Sequence, residues 1–332
     1  MKQKILVTGA SGFVGSHFVE TAFNAGYEIH AAVRKSSLVD PIRPFVAKFV
    51  YLEFDNLTGL VSFFSEEKYT YIVHAAALTK AKTVQLMHTV NVDVTSNLIK
   101  AAFQATVPPK RFVFISSLAA IGPVSYDDAP ITEENTYNPI TIYGKSKQAA
   151  EEMIIDGYPD RPISIIRPTA VYGPREKDLF ILFDTMNRGI DAYIGKGPQK
   201  LSFIYVKDLA TLLLNSCLLP GDRVEVFNAT DGKVYSRYEM ADIFKRTLSR
   251  KLVRFHVPYT IVKKVAQLCG WLYRNSQKTP VLYPERLGEL TAQNWACDIS
   301  KAESALNFIP KYDLQDGLTE SLFWYKDNNW LK

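Results

Sequence analysis

Eight residues near the N-terminus constrain the fold more than any other feature of the chain. Thr8-Gly9-Ala10-Ser11-Gly12-Phe13-Val14-Gly15 sets three glycines in the spacing G-x-x-G-x-x-G. The residues before it, Ile5-Leu6-Val7, read as a buried strand. Those after it read as a helix over 13–25, with Gly26 where a helix C-terminal glycine belongs. A glycine turn between a strand and a helix is the context in which this spacing binds phosphate. Gly9 permits the tight turn, Gly12 lets backbone approach a pyrophosphate, and Gly15 lets the helix pack closely on the strand. The helix N-terminus offers free N–H groups and partial positive charge to the anion. Ser11, Phe13 and Val14 lie in the same turn and complete the candidate contact set.

The rest of the first half repeats the strand–helix alternation. Further strands are expected over 27–34, 48–53, 71–76, 111–116 and 163–167, each short, apolar and rich in β-branched or aromatic residues. This pattern predicts an α/β fold, a Rossmann doubly wound parallel sheet. After about 172, glycines and prolines loosen the pattern, and a strand-and-helix return follows over 202–219. The remainder predicts a smaller, mostly helical C-terminal lobe. The expected division is a dinucleotide-binding domain over 1–175 with the return segment 201–230, and a substrate lobe over 176–200 and 231–332.

The end of the second strand selects the dinucleotide. A carboxylate there takes the ribose 2′-hydroxyl of NAD and repels a 2′-phosphate. No Asp or Glu occurs from 29 to 39, and Arg34-Lys35-Ser36-Ser37 stands at that point. Arg34 can grip a phosphate with its planar fork and Lys35 adds a second charge, so NADP(H) is expected over NAD(H). Asp55 and Asn56, after the third strand, are candidates for the adenine edge.

Tyr143-Gly144-Lys145-Ser146-Lys147 places a tyrosine and a lysine at i and i+4, on one face of a helix. A phenol has an ordinary pKa of about 10. An ammonium on the same face is expected to lower it, so that Tyr143 exchanges a proton with a carbonyl or an alcohol. Tyr259 and Lys263 repeat the spacing, but they fall in the C-terminal lobe, where Tyr259 is expected to serve packing. Tyr143 lies between the fifth and sixth strands, beside the crevice of a parallel sheet. The fifth strand ends in Ser116-Ser117; one hydroxyl can hold a substrate oxygen while the other caps backbone.

Composition excludes other classes. The chain has 332 residues, 47% hydrophobic and 22% charged, with a net charge of +5. No block of like charge suggests nucleic acid. Cys217, Cys269 and Cys297 are widely separated, so neither a zinc site nor a disulfide framework is read from them, and three buried thiols are expected. No metal is expected. No signal peptide or membrane span is visible, which predicts a cytoplasmic protein.

These motifs together resemble the extended short-chain dehydrogenase/reductase family, which includes the NAD(P)-dependent epimerase/dehydratases. The match runs from Ile5 to about Gly317. It includes the glycine turn, His74-Ala75-Ala76-Ala77, Asn91-Val92, Ser116-Ser117, Tyr143 with Lys147, the run from Arg167 to Pro174, and that from Phe203 to Ala210. The resemblance implies that Ser117, Tyr143 and Lys147 are catalytic and that Lys147 also bonds the nicotinamide ribose. It implies cofactor contacts at Ala75, Ala76, Pro168 and Val171, and a homodimer through helix faces within 84–105 and 144–155. Ile121-Gly122 departs from the family's Tyr-Gly. Trp295 stands where sugar-nucleotide epimerases are expected to carry a diphosphate-binding arginine, and an indole is a poor substitute. The chain is therefore more similar to the dihydroflavonol reductase and 3β-hydroxysteroid dehydrogenase branch. The expectation is an NADP(H)-dependent oxidoreductase acting on a lipophilic ketone or alcohol. A sugar-nucleotide epimerase or dehydratase is the alternative, and a catalytically silent dinucleotide sensor a third.

One further helix is expected over 258–274, with Ile261, Val265, Leu268 and Leu272 on one face and Lys263, Lys264, Gln267 and Arg274 near the other. It reads as a lobe helix packed on the core, with a lid or peripheral membrane contact left open.

Overall fold

A computed structural model describes residues 2–81, 83–273 and 284–331. The chain starts β1 (Lys4–Thr8), α1 (Phe13–Asn24), β2 (Glu28–Ala32), β3 (Lys48–Val50), α2 (Leu57–Glu67) and β4 (Tyr71–His74). α3 (Val84–His88) runs through a π turn into α4 (Val94–Gln104). β5 (Arg111–Ile115), α5 (Ile142–Gly157) and β6 (Ile163–Pro168) complete the expected series. Next come β7 (Ala170–Tyr172), α6 (Phe180–Asn187), β8 (Ile190–Ile194), β9 (Lys200–Leu201), β10 (Phe203–Tyr205), α7 (Val206–Cys217) and β11 (Glu225–Ala229). The chain ends with β12 (Tyr235–Ser236), α8 (Glu239–Leu248), β13 (Val253–Val257), α9 (Tyr259–Leu272), α10 (Pro284–Thr291), α11 (Ser300–Leu306) and α12 (Leu314–Asp327).

Seven strands form one parallel sheet in the order β11-β6-β5-β4-β1-β2-β3. Strand order reverses between β1 and β4, which opens the crevice where such folds bind ligands. Side chains alternate across the sheet. Ile5 and Val7 pack on one face with Phe18, Val19 and Leu213, while Leu6 packs on the other with Leu98, Phe112 and Ile154. Both faces are covered by helices, so the strand centres are mostly apolar.

Expected strands were longer than observed ones at their carboxyl ends. β2 stops at Ala32, and β4 at His74, because Thr8, the last residue of β1, is the partner of both. Beyond that level the chain turns, and Arg34, Ala75 and Ala76 lie on loops at the crevice. β11 was not anticipated as a strand. It pairs with β6 along Glu225–Ala229, and α11 packs against it and α7. The buried Arg111 guanidinium holds this edge by donating to the Leu219, Gly221 and Arg223 carbonyls.

The remaining residues build a second core from Tyr172, Phe183, Tyr205, Phe244, Leu318 and Tyr325. This part is less helical than expected, since β7·β10, β9·β12 and β8·β13 form short pairs. α9 faces the opposite way from the expected packing. Val262 and Ala266 point inward, and the larger Ile261, Val265, Leu268 and Leu272 stay exposed. Tyr259 is also exposed rather than packed, and Cys269 is half-buried, unlike the buried Cys217 and Cys297. Arg274 lies outside the described residues.

Candidate active site

The glycine turn has the geometry of an anion cradle. Gly9 is at φ +66°, and a Cβ there would lie 2.6 Å from the Ala76 nitrogen and 2.7 Å from the Ala75 carbonyl carbon. Only glycine lets β1 turn this close to the loop after β4. A Cβ on Gly15 would sit 2.2 Å from the Gly9 carbonyl oxygen, so α1 could not start so near the turn with any side chain there. Gly12 is the N-cap of α1; no side chain caps it and its first turn holds no acidic residue. Those amides are left for an external anion. Thr8 Oγ1 receives the Ala76 N–H at 3.3 Å and shares a 2.6 Å bond with His74, which fastens the two loops together. The residues present therefore fit a dinucleotide pyrophosphate. Phe13 and Val14 open α1, and Ser11 is half-buried in the turn.

Arg34 and Lys35 are exposed just past β2, in a turn closed by the Ser37 N–H to the Arg34 carbonyl. They stand free to meet a phosphate. Asp55 is exposed in the loop between β3 and α2, whereas Asn56 caps α2 by accepting from Gly59 N–H. Pro168 ends β6 opposite Ala229, and Val171 follows in β7, beyond the carboxyl end of β6.

Local sequence explains why Ser117 and Tyr143 meet. Thr141 caps α5 by accepting from Gly144 N–H at 3.0 Å. A Cβ on Gly144 would fall 2.3 Å from the Ala119 carbonyl oxygen, so the start of α5 lies directly on the turn at Leu118–Ala120. Ser117 begins that turn, accepts from Ala119 N–H, and lies near enough to the Tyr143 hydroxyl to favour its phenolate. The competing Ser116 is buried and donates to Glu151 instead. The two serines thus divide: one faces the crevice, the other the interior.

Acidity differs from expectation. Tyr143 is pushed up to about 12 by burial; Ser117 pulls down, and the Glu289 carboxylate pushes up. Lys147 does not depress it. The Lys147 Nζ donates to the Ile115 carbonyl at 2.7 Å, beside the Phe114 ring, and burial lowers it to about 7 despite the Glu151 charge. The correction follows from desolvation, which disfavours phenolate and ammonium alike.

The sequence reading missed Glu151, the next residue on the same face, at i+8 from Tyr143. Its carboxylate is fully buried and receives Arg167 Nε and Nη2 at 2.9 and 2.6 Å, Tyr137 hydroxyl at 2.8 Å, and Ser116. Spacing alone could have flagged it, since 143, 147 and 151 repeat by four. Glu289 on α10 was missed as well. Its backbone carbonyl accepts the Trp295 indole N–H at 3.4 Å, and burial raises its carboxyl, partly offset by Arg286. Trp295 packs on Leu118, Ile121 and Cys297, so Ile121 belongs to an apolar wall next to Ser117.

With this geometry established, comparison defines the class. The profile of the NAD dependent epimerase/dehydratase family matches residues 5–229. The chain belongs to that family, and so to the NAD(P)-dependent enzymes acting on CH–OH groups. It is 29% identical to a UDP-glucose 4-epimerase of Vibrio cholerae, over 97% of this chain and 95% of that protein. It is 27% identical to a ceramide reductase of Caulobacter vibrioides, over 98% of this chain and 96% of that one. The structure of a UDP-glucose 4-epimerase with UDP-glucose from Thermotoga maritima superposes with a TM-score of 0.78 at 22% identity, covering 98% of this chain and 100% of that chain.

Two predictions follow from the buried charges. Glu151→Gln leaves the Arg167 guanidinium without its carboxylate in the interior and should cost about 3 kcal/mol of stability. Urea unfolding measures it, and a loss under about 1 kcal/mol would contradict the role given to this pair. Lys147 binds its proton more weakly folded than unfolded, so between about 7 and its ordinary lysine value folding releases that proton. Its contribution to stability should rise with pH across that window. Unfolding curves at neutral and alkaline pH should show a wild-type rise that Lys147→Met lacks; parallel behaviour of the two proteins would refute the shift.

Proposed function

We propose that this enzyme interconverts a ketone and a secondary alcohol on a lipophilic molecule, a sterol, a flavonoid-like compound or a long-chain keto-lipid, with NADP(H) as coenzyme and reduction as the favoured direction. The observation that carries the reading is what stands near Tyr143. The Glu289 charge acts on it, and the Glu289 carbonyl engages the indole N–H of Trp295, which packs against an apolar cluster that includes Leu118 and Ile121. A diphosphate needs cations and donors at such a place, and a carboxylate repels it. An apolar substrate needs only to be covered.

Within the site, Ser117 and Tyr143 hold the carbonyl oxygen between two hydroxyls. Tyr143 stays protonated at neutral pH because burial holds its affinity high, which suits a group that gives a proton to a developing alkoxide. Lys147 titrates near neutrality on the same helix face and is the group that returns a proton there. The glycine turn and the α1 N-terminus hold the pyrophosphate, and Arg34 with Lys35 the 2′-phosphate. Bound in that cradle, the reduced dinucleotide supplies the hydride. The 27% identity to a ceramide reductase agrees with a lipid substrate.

Sugar-nucleotide epimerisation is the second reading. Arg286, close enough on α10 to lower Glu289, is a guanidinium near the site, and one relative is a UDP-glucose 4-epimerase. Assays with steroid and keto-lipid substrates against nucleotide sugars separate the two: NADPH oxidation that needs the ketone supports reduction, and conversion of a nucleotide sugar without added NADPH overturns it.

Tyr143→Phe should lower turnover by about a thousandfold while NADPH affinity changes less than about twofold. Steady-state kinetics with coenzyme fluorescence titration checks both, and undiminished turnover would remove Tyr143 from the chemistry. Arg34→Glu should weaken NADPH binding about tenfold or more and leave NADH binding equal or improved. Equal losses for both coenzymes would refute 2′-phosphate recognition by Arg34.

A further inference from the structure

Helix α9 turns its bulky apolar stripe away from the protein. Ile261, Val265, Leu268 and Leu272 recur at helical spacing, and each is 45 to 59% exposed. The helix is seated by its small side instead. Val262 and Ala266 are buried, and a Cβ on Gly270 would lie 4.0 Å from the Pro284 ring of α10. The outward stripe is thus not needed to hold α9 in place. Trp271 and Tyr273, both largely exposed, lie at the end of the helix. Such rings prefer the boundary between water and lipid headgroups.

Charge identifies what the stripe meets. From 243 to 273 the sequence contains seven lysines and arginines and no aspartate or glutamate. Two of these are neutralised in the structure, Arg246 by Glu239 and Arg254 by Asp191 and Asp242, while α9 itself carries two lysines and no carboxylate. Lys263 and Lys264 on α9 are both exposed, as are Arg250 and Lys251 just before β13. A second copy of the chain would bring this cationic surface against itself, which disfavours a symmetric dimer through α9. An anionic surface with an apolar interior complements both features.

We propose that α9 docks the enzyme on an anionic phospholipid bilayer. The helix lies in the plane of the interface, with Ile261, Val265, Leu268 and Leu272 among the acyl chains and Lys263 and Lys264 at the headgroups. No helix among the described residues is long and apolar enough to cross a membrane, so the contact is peripheral. α9 packs on α10, and α10 carries Glu289, whose charge acts on Tyr143. Docking therefore sets the lipid surface one helix away from the candidate site. The proposal does not rest on the substrate class argued above, since vesicle binding requires no turnover.

The test is flotation of the full chain with vesicles of phosphatidylcholine containing phosphatidylglycerol, and with phosphatidylcholine alone, at low and high salt. Binding is expected to the anionic vesicles and to weaken about tenfold on neutral ones or at high salt. Leu268→Glu and the pair Lys263→Glu with Lys264→Glu should each reduce it about tenfold, with thermal unfolding and NADPH binding unchanged. The lysine pair, being fully on the surface, keeps the test valid should Leu268→Glu fold poorly. Absence of binding at low salt, or binding that neither variant reduces, overturns the proposal. So does a dimer in solution that Leu268→Glu dissociates, or an acidic protein that competes the vesicles away without itself binding lipid.

Discussion

The Glu151 carboxylate joins the elements that compose the candidate site. It lies on α5 at two turns from Tyr143, and its partners come from β5 through Ser116, from β6 through Arg167, and from the loop before α5 through Tyr137. Arg167 also donates to the Glu133 carbonyl, and the Glu133 carboxylate in turn accepts the Asn228 N–H of β11. One buried charge pair thereby sets the height of α5 over the carboxyl ends of three strands. Such a pair costs much desolvation and stabilises only when every lone pair is occupied. Here Ser116 donates to one oxygen and Tyr137 and Arg167 to the other, which fixes the carboxylate within the fold.

The glycine turn works on the other side of the same crevice. Its close approach to Ala75 and Ala76 is possible only because Gly9 has no side chain, and it brings the ends of β1 and β4 level. His74, buried between Thr8 and Thr95, locks that level with two hydrogen bonds and is held neutral, at about 3, by burial. A neutral imidazole adds no charge beside Lys147. The switch point is thus shaped by hydrogen bonds that carry no net charge, and its anion affinity comes from α1 and from Arg34 and Lys35.

Much of this was readable from the sequence because it depends on near neighbours. The glycine spacing, the apolar strands and the i, i+4 tyrosine and lysine each act over a few residues, and the structure keeps Tyr143 and Ser117 together. Glu151 was not readable as a buried charge. In Ala149-Ala150-Glu151-Glu152 two adjacent carboxylates look alike, and only Arg167, brought over by β6, distinguishes them. β11 was missed because Glu225–Ala229 is short and acquires its strand character from β6. The orientation of α9 was misread for a different reason. Bulk suggested that the larger apolar residues face inward, whereas the helix is seated by Val262 and Ala266 and leaves them outside.

The acidity of the site shows how burial and one carboxylate combine. Burial alone drives Tyr143 and Lys147 toward their neutral forms, raising one and lowering the other. Glu151 opposes this at Lys147, but burial outweighs it, so Lys147 rests near neutrality instead of recovering an ordinary lysine affinity. Tyr143 is pushed further by Glu289 from the lobe. The pair consequently offers a firm phenolic donor above a weakly held lysine proton. That order favours giving a proton to an oxygen over taking one, and a change in the lobe carboxylate would shift it without touching α5.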